Sequence, residues 1–413
     1  MIPVNEPLIG EKELQYVTDC LKSGWISSAG KYIEEFEEKW ADYCGMKYGI
    51  AVSNGTVALQ VAVKCLNLKS GDEVIIPTFT IISCALAVAY NGGKPVLVDA
   101  DPKSWTMDVS QIEAKITSKT KAIMPVHIYG HPCDMEPIWK LAEKYDLVVI
   151  EDAAEAHGAE YRSTSRVHSS PLAGEDKGEG TKGGMESGQW LKAGSLGDIS
   201  CFSFYANKII TTGEGGMILT DDEKLAERAK SIRNLCFKKE RRFYHTELGN
   251  NFRFTNLQAA IGLAQLERIE ELIEKKRWIG RTYSERLKDI PELTLPVEEH
   301  WAKNVYWMYG VVLDESTGMD AKEFANRLGE QGIDTRPFFL GMHEQPVFHK
   351  MGLFKDEHYP VAERIARQGL YLPSGLTLTE KEIDKVSISV RFLLENIKET
   401  TNKNKGNYNS NKI

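Results

Sequence analysis

YGIAVSNGTVALQVAVKCLNLKSGDEVII, running from Tyr48 to Ile76, is the most telling stretch of the chain. Tyr48–Val52 is a short apolar, β-branched run. Asn54-Gly55-Thr56 interrupts it, Val57–Leu66 carries apolar residues at helical spacing, and Glu73–Ile76 is again an apolar run. Strand, turn, helix and strand in that order make the unit of a parallel sheet joined by right-handed crossovers. The pattern continues outward. Pro95–Val98, Ala122–Val126 and Leu147–Ile150 read as further strands, and Met135–Lys144 as a further helix. The strand runs are apolar throughout instead of alternating, as expected where helices cover both faces of a sheet. The expectation is an α/β fold with a mostly parallel central sheet, and ligands sit beyond the carboxyl ends of such strands.

The chain has 413 residues, too many for one small core, so a large domain and a smaller one are expected. The large domain is placed at 1–250. A smaller α+β domain at 251–396 opens with a long helix, Leu257–Lys275, and holds strands at Tyr306–Leu313 and Val386–Val390 and a helix at Ala321–Gln331. Residues 163–191 are rich in Gly, Ser and charge and read as a flexible insertion. Residues 397–413 read as a disordered polar tail. A net charge of −8, without a Lys/Arg-dense stripe, argues against nucleic acid as a partner. Seven scattered cysteines without a CxxC pair suggest reduced thiols in the cytoplasm and no metal site. The longest apolar stretch, Ile81–Tyr90, is too short to cross a bilayer, and the N-terminus lacks the pattern of a signal peptide.

Three places carry chemistry. Gly55 and Thr56 stand where a strand turns into a helix; backbone N–H groups and the helix dipole there favour an anion such as phosphate, although a plain capped turn would read the same way. Asp152 ends the strand Leu147–Ile150 with Glu155 and His157 close behind, and would pair with a protonated ring nitrogen, or cap a helix. Lys208 lies between the apolar run Ser200–Tyr205 and the glycines Gly213, Gly215 and Gly216. A lysine that attacks a carbonyl must be neutral, and an apolar pocket lowers its pKa; an exposed lysine is the plainer alternative. Together the three supply a phosphate cradle, a carboxylate for a pyridine nitrogen and an imine-forming amine. Pyridoxal phosphate requires that set.

EDAAEAHGA (Glu151–Ala159), GSLGDISCFSFYANKIITTGEGGM (Gly194–Met217) and LGNNFRFTNLQAAIGLAQLERI (Leu248–Ile269) resemble the DegT/DnrJ/EryC1/StrS sugar aminotransferases. So do SGWISSAGKYIEEFE, VSNGTVALQ, GDEVIIPTFT and VHIYGHPCDM, and the resemblance runs from about residue 2 to 395. It implies an aspartate-aminotransferase-like subunit of fold type I in a homodimer with shared active sites. Lys208 would form the Schiff base with pyridoxal phosphate, and Asp152 would pair with its ring nitrogen. Glu155, in the place of a frequent Gln, would face the ring hydroxyl. Gly55, Thr56 and Ser203 would hold the phosphate, joined by Asn251 from the other subunit. Trp25, Ser27, Ser28, Arg253, Arg336 and His343 are the candidates for the sugar-nucleotide end. The activity implied is transfer of an amino group from L-glutamate to a nucleotide-linked 4-keto-6-deoxy sugar, GDP-4-keto-6-deoxymannose yielding GDP-perosamine, in the cytoplasm and for O-antigen or another surface polysaccharide.

Two positions depart from the family pattern. Ile81 stands where an aromatic ring often stacks on the cofactor, and Asn250 replaces the Tyr of the usual GYNYR. Other readings remain: a UDP- or dTDP-linked acceptor, a dehydratase on the same fold, or a non-catalytic scaffold. Dehydratase relatives carry His in place of the lysine, and a scaffold would be expected to lose Lys208 or Asp152; both are present here.

Overall fold

A computed structural model describes residues 1–164, 188–238, 240–241 and 243–410, with side chains up to Glu395. Its centre is a seven-stranded sheet formed by β1 (Tyr48–Val52), β2 (Glu73–Pro77), β3 (Lys94–Val98), β4 (Thr120–Ile123), β5 (Val148–Asp152), β8 (Ile199–Ser203) and β9 (Gly216–Thr220), in the order β1-β9-β8-β5-β4-β2-β3. β6 (Glu160–Arg162) and β7 (Trp190–Lys192) form a hairpin outside this sheet. From β8 to β3 every neighbouring pair is parallel, while β9 runs antiparallel between β1 and β8. The sheet is thus mostly parallel, and β9 is an element that the apolar-run reading did not separate.

Burial explains why the strand runs lack polar alternation. Val74 and Ile76 pack into one core cluster and Ile75 into another; Val148 and Ile150 are likewise split from Val149. Each face therefore has its own core, one including α3 (Gly55–Cys65) and α4 (Ser83–Tyr90), the other α5 (Ile112–Lys115) and α6 (Met135–Tyr145). α1 (Glu11–Ser23) and α2 (Lys31–Cys44) pack on α8 (Asn256–Leu266), and α7 (Glu223–Arg233) packs on β1 and β9.

α9 (Ile269–Leu287) leads to a second, antiparallel sheet of β10 (Leu293–Thr294), β12 (Tyr309–Leu313), β13 (Arg336–Pro337) and β14 (Gly369–Leu372), ordered β10-β12-β14-β13; β11 (Ala302–Lys303) pairs instead with β6. α10 (Ala321–Glu330), α11 (Pro346–Lys350), α12 (Pro360–Gln368) and α13 (Glu380–Ser410) complete this part. The N-terminus reaches across to it: Ile2 bridges Ile333, and the Ser374 amide donates to the Val4 carbonyl (2.9 Å).

Three expectations change. Val386–Val390 is helix, not strand. The run V-S-I-S-V alternates, but the buried positions Ile383, Val386, Val390 and Leu394 recur at helical spacing while Ile388 is 67% exposed. The helix expected over Leu257–Lys275 is two helices. Arg268 leaves helical geometry (φ −126°), so α8 lies on α1 and α2 while α9 turns to α13; no Gly or Pro marks the break. The last helix also runs to Ser410, past the boundary expected for a polar tail at 397, leaving 411–413 outside the described residues. Of the insertion expected at 163–191, residues 165–187 also lie outside them, and its two ends leave the β6–β7 hairpin.

Candidate active site

β5 sets the first half of the site. Its last two residues point to opposite faces, as strand geometry requires. Glu151 faces inward and accepts hydrogen bonds from the Leu196 and Gly197 amides (2.8 and 3.0 Å), the Ser200 hydroxyl (2.7 Å) and His127 Nε2 (3.0 Å). It thereby ties the turn before β8 to β5. Asp152 faces the other way, at the carboxyl end of the sheet. It is 2% exposed, and its oxygens accept from the Ala154 amide (3.0 Å) and the Cys84 thiol (3.1 Å). Burial pushes its carboxyl above the usual range.

Three residues on, Glu155 accepts from the Tyr129 amide through Oε2 (2.8 Å) and faces Lys208 Nζ through Oε1 (3.8 Å). Burial raises its pKa to about 7, against the pull of Lys208. Lys208 comes from the loop between β8 and β9. That loop is closed by the Phe204 amide on the Gly215 carbonyl (2.8 Å), the Thr212 amide on the Phe204 carbonyl (3.0 Å) and a left-handed Gly213 (φ +80°). The lysine side chain is 9% exposed, and desolvation pulls its pKa down while Glu155 and Asp152 oppose it. Two buried carboxylates thus share one amine. A second cation, such as a protonated pyridine nitrogen, would balance the charge.

The turn before α3 supplies the anion cradle. The Asn54 side chain accepts from the Val57 amide (3.0 Å), which fixes the helix start. Gly55 is required here: a Cβ would lie 2.6 Å from Ser203 Cβ. The Thr56 and Ser83 hydroxyls are 2.8 Å apart. Gly55, Thr56, Ser203 and Ser83 therefore meet, although they come from three separate elements. These residues fit pyridoxal phosphate: a tight, hydroxyl-lined helix N-terminus, a buried carboxylate short of a cation, and a desolvated amine.

The remaining expected residues fall into three groups. Trp25, Ser27 and Ser28 are exposed on the loop between α1 and α2, which Asn256 joins to the Arg253 segment through its amide on the Ser27 carbonyl and its side chain on the Trp25 carbonyl (2.7 Å each). Arg253 bridges Val52 and donates to Asn234 (2.9 Å). Asn251, two residues before Arg253, is exposed and bridges Asn234, and Ile81 is 38% exposed. Arg336 is exposed, pairs with Asp334 (2.7 Å) and lies across the ladder from Tyr371. His343 differs from the others in being held inside the subunit. It is buried, with Nδ1 on Thr78 (2.8 Å) and Nε2 on Glu363 (3.2 Å), and it joins the loop after β2 to α12.

Sequence reasoning missed Ser83, Cys84, Tyr129, Trp307 and Tyr371. Trp307 lies against Lys208, with Nζ 3.6 Å from the ring centroid, and Tyr129 packs on Trp307, Phe339 and Tyr371. None sits in a chemically suggestive pattern; only the fold gathers them.

A mostly parallel α/β sheet with a desolvated lysine and a buried carboxylate at its carboxyl edge is the arrangement of a fold type I pyridoxal-phosphate enzyme. The DegT/DnrJ/EryC1/StrS aminotransferase family matches residues 7–391, and the chain belongs to that family. It is 42% identical to the GDP-perosamine synthase of Caulobacter vibrioides, over 93% of this chain and 96% of the relative. It is 40% identical to the GDP-perosamine synthase of Escherichia coli O157:H7, over 94% and 97%. Among solved structures, the aminotransferase TlmJ of Streptoalloteichus hindustanus superposes with a TM-score of 0.83 at 28% identity, covering 96% of this chain and 100% of that one. DesI, solved in the presence of its TDP-sugar product, gives 0.81 at 28% identity, covering 98% and 95%. Among the described residues no helix is long and apolar enough to cross a membrane.

Proposed function

We propose that this enzyme moves an amino group from L-glutamate to the C4 carbonyl of GDP-4-keto-6-deoxymannose, giving GDP-perosamine. The observation that carries the chemistry is the buried trio of Lys208, Glu155 and Asp152; the relatives named for GDP-perosamine support the acceptor. When bound, pyridoxal phosphate supplies an aldehyde that links to amines and a ring that accepts the electron pair of the donor carbon.

The chain's own residues do the rest. Lys208 holds the cofactor until an amine displaces it. Its freed nitrogen would then pass the proton of the donor α-carbon to the cofactor carbon that receives the amine and, in the second half of the reaction, pass that carbon's proton to the sugar carbon. Desolvation keeps that nitrogen neutral often enough to act as a base. Asp152 would keep a proton on the ring nitrogen, and Glu155 would meet the ring hydroxyl. Gly55, Thr56 and Ser203 take the phosphate, and Ile81 supplies a flat apolar contact. Asn251, exposed in its own subunit, serves the site of the partner in a homodimer. Trp25, Ser27, Ser28, Arg253 and Arg336 hold the sugar nucleotide, the arginines facing its diphosphate. His343, with both nitrogens engaged, acts as a bridge inside the subunit. We place the enzyme in the cytoplasm, on the route to a surface polysaccharide such as O-antigen.

Incubating the enzyme with pyridoxal phosphate, glutamate and, in turn, GDP-, UDP- and dTDP-linked 4-keto-6-deoxy sugars tests this reading by mass spectrometry of the products. Amination of the GDP-linked mannose derivative above the others is expected. Equal or greater amination of a UDP- or dTDP-linked sugar contradicts the acceptor, and loss of oxygen without gain of nitrogen contradicts the reaction.

A further inference from the structure

We propose that Trp307 is a positioning residue for Lys208: its indole face and the Glu155 carboxylate form a seat for the lysine nitrogen when, released from the cofactor, it carries a proton. The inference rests on the reading of Lys208 as the amine that joins the cofactor.

The geometry closes on itself. Lys208 Nζ lies 3.6 Å from the centroid of the Trp307 ring and 3.8 Å from Glu155 Oε1. The indole cannot drift, because it is 3% exposed and its N–H donates to the Asn207 carbonyl (2.7 Å), the residue just before the lysine. The same carbonyl accepts from the Asn5 side chain (3.2 Å), which ties this point to the N-terminal segment. Tyr129 joins the two halves of the seat. Its ring stacks near Trp307 (6.3 Å, 27°), and its amide donates to Glu155 Oε2 (2.8 Å). Trp307, Tyr129, Glu155 and Lys208 thus form one ring of contacts drawn from four separate parts of the chain.

A cation over an aromatic face, with a carboxylate alongside, is held as a cation. Burial works against that charge. The balance suits a group that must alternate between base and acid. In each half of the reaction Nζ would carry a proton only between taking it from one carbon and returning it to another, and it would lie over the indole as an ammonium in that interval. Asp152 and His157 also face this amine, and Tyr371 lies near Glu155, so they set the background against which the seat acts. A structural tryptophan would fill the same space without affecting the protonation of Lys208.

The test separates these roles. In cofactor-free protein, trace acetylation of Lys208 is followed by peptide mass spectrometry from pH 6 to pH 10 (roughly the range over which a shifted lysine titrates). Trp307→Phe keeps an aromatic face and should hold the midpoint within about threefold of wild type. Trp307→Leu and Trp307→Met fill the space without one and should lower it by about one unit, making the neutral amine on the order of tenfold more abundant below the midpoint. In loaded enzyme the same two variants should lose kcat with little change in KM for the sugar nucleotide. A midpoint in the Leu or Met protein equal to that of the Phe protein overturns the proposal. Borohydride tagging of each protein keeps the two readings apart: absence of a tag on Lys208 in wild type refutes the lysine assignment itself, whereas tagging with unmoved midpoints refutes only the seat.

Discussion

Replacing Gly55 with alanine adds one methyl group, and the structure says what that group meets. The new Cβ would lie 2.6 Å from Ser203 Cβ and 3.1 Å from Ser203 Cα, and ordinary contact begins near 3.4 Å. The N-terminus of α3 and the end of β8 must therefore separate by about 0.8 Å. Neither can yield cheaply. Ser203 is paired in the sheet with Gly216, and α3 is buried along most of its length. Overpacking of this kind costs about 1–3 kcal/mol. The displacement also moves the amides proposed to take the phosphate, and an anion at a helix N-terminus is worth about 1 kcal/mol or somewhat more. The prediction for Gly55→Ala is a lower Tm in cofactor-free protein and a Kd for pyridoxal phosphate raised about fivefold to thirtyfold, read from the cofactor's absorbance during titration. Combining it with Ser203→Gly removes the obstructing atom and should restore most of the Tm while leaving the affinity weak, because a phosphate-facing hydroxyl is lost. An alanine protein with wild-type Tm and wild-type affinity would refute the placement of the cradle at this turn.

Lys208→Ala should abolish turnover while the protein still binds pyridoxal phosphate without a covalent link; absorbance spectra and product assays read the two separately. Asp152→Asn should retain the cofactor and lose at least about 100-fold in kcat if Asp152 pairs with the ring nitrogen as proposed, since the buried charge is then removed; a loss under tenfold would count against that pairing. Glu155 gives a stability signature. Its pKa in the folded chain, about 7, lies above the ordinary 4.5, so the folded state keeps the proton longer than the unfolded one. The stability present below pH ~4.5 is therefore lost as pH rises towards 7, by up to about 3 kcal/mol for a shift of this size. Thermal melts of cofactor-free protein should show this decline in wild type and a flatter profile in Glu155→Gln. Along α13, Val390→Asp should destabilise by more than about 3 kcal/mol and Ile388→Asp by less than about 0.5; a strand would place both on one face and give them similar costs.

Strand–helix alternation from Tyr48 onward made the central sheet legible, because parallel strands buried on both faces are apolar throughout. Lys208, Asp152 and Gly55 were legible for a related reason: a parallel sheet delivers whatever follows each strand to one edge. The antiparallel β9 was not, since its run Gly216–Thr220 resembles its neighbours and direction is set by the chain reversal around Gly213. Val386–Val390 misled because two serines, Ser387 and Ser389, mimic strand alternation; Ser387 and Ser389 are themselves buried, so polarity did not report exposure. Trp307 and Tyr129 were invisible as site residues because aromatic residues at strand edges are ordinarily core. Their role depends on the N-terminal segment, the loop before α6 and the chain ahead of β12 meeting at Asn207 and Glu155.

Which lysine takes the cofactor decides the chemistry, and the chain contains its own control. Lys276 is also wholly buried, with its pKa pulled down to about 7 by desolvation, but it faces the Ser374 carbonyl and, among the described residues, no carboxylate. Borohydride reduction of the loaded enzyme, followed by digestion and peptide mass spectrometry, should place the pyridoxyl group on Lys208 alone. A pyridoxyl group on Lys276, on any other lysine, or on none would contradict the account.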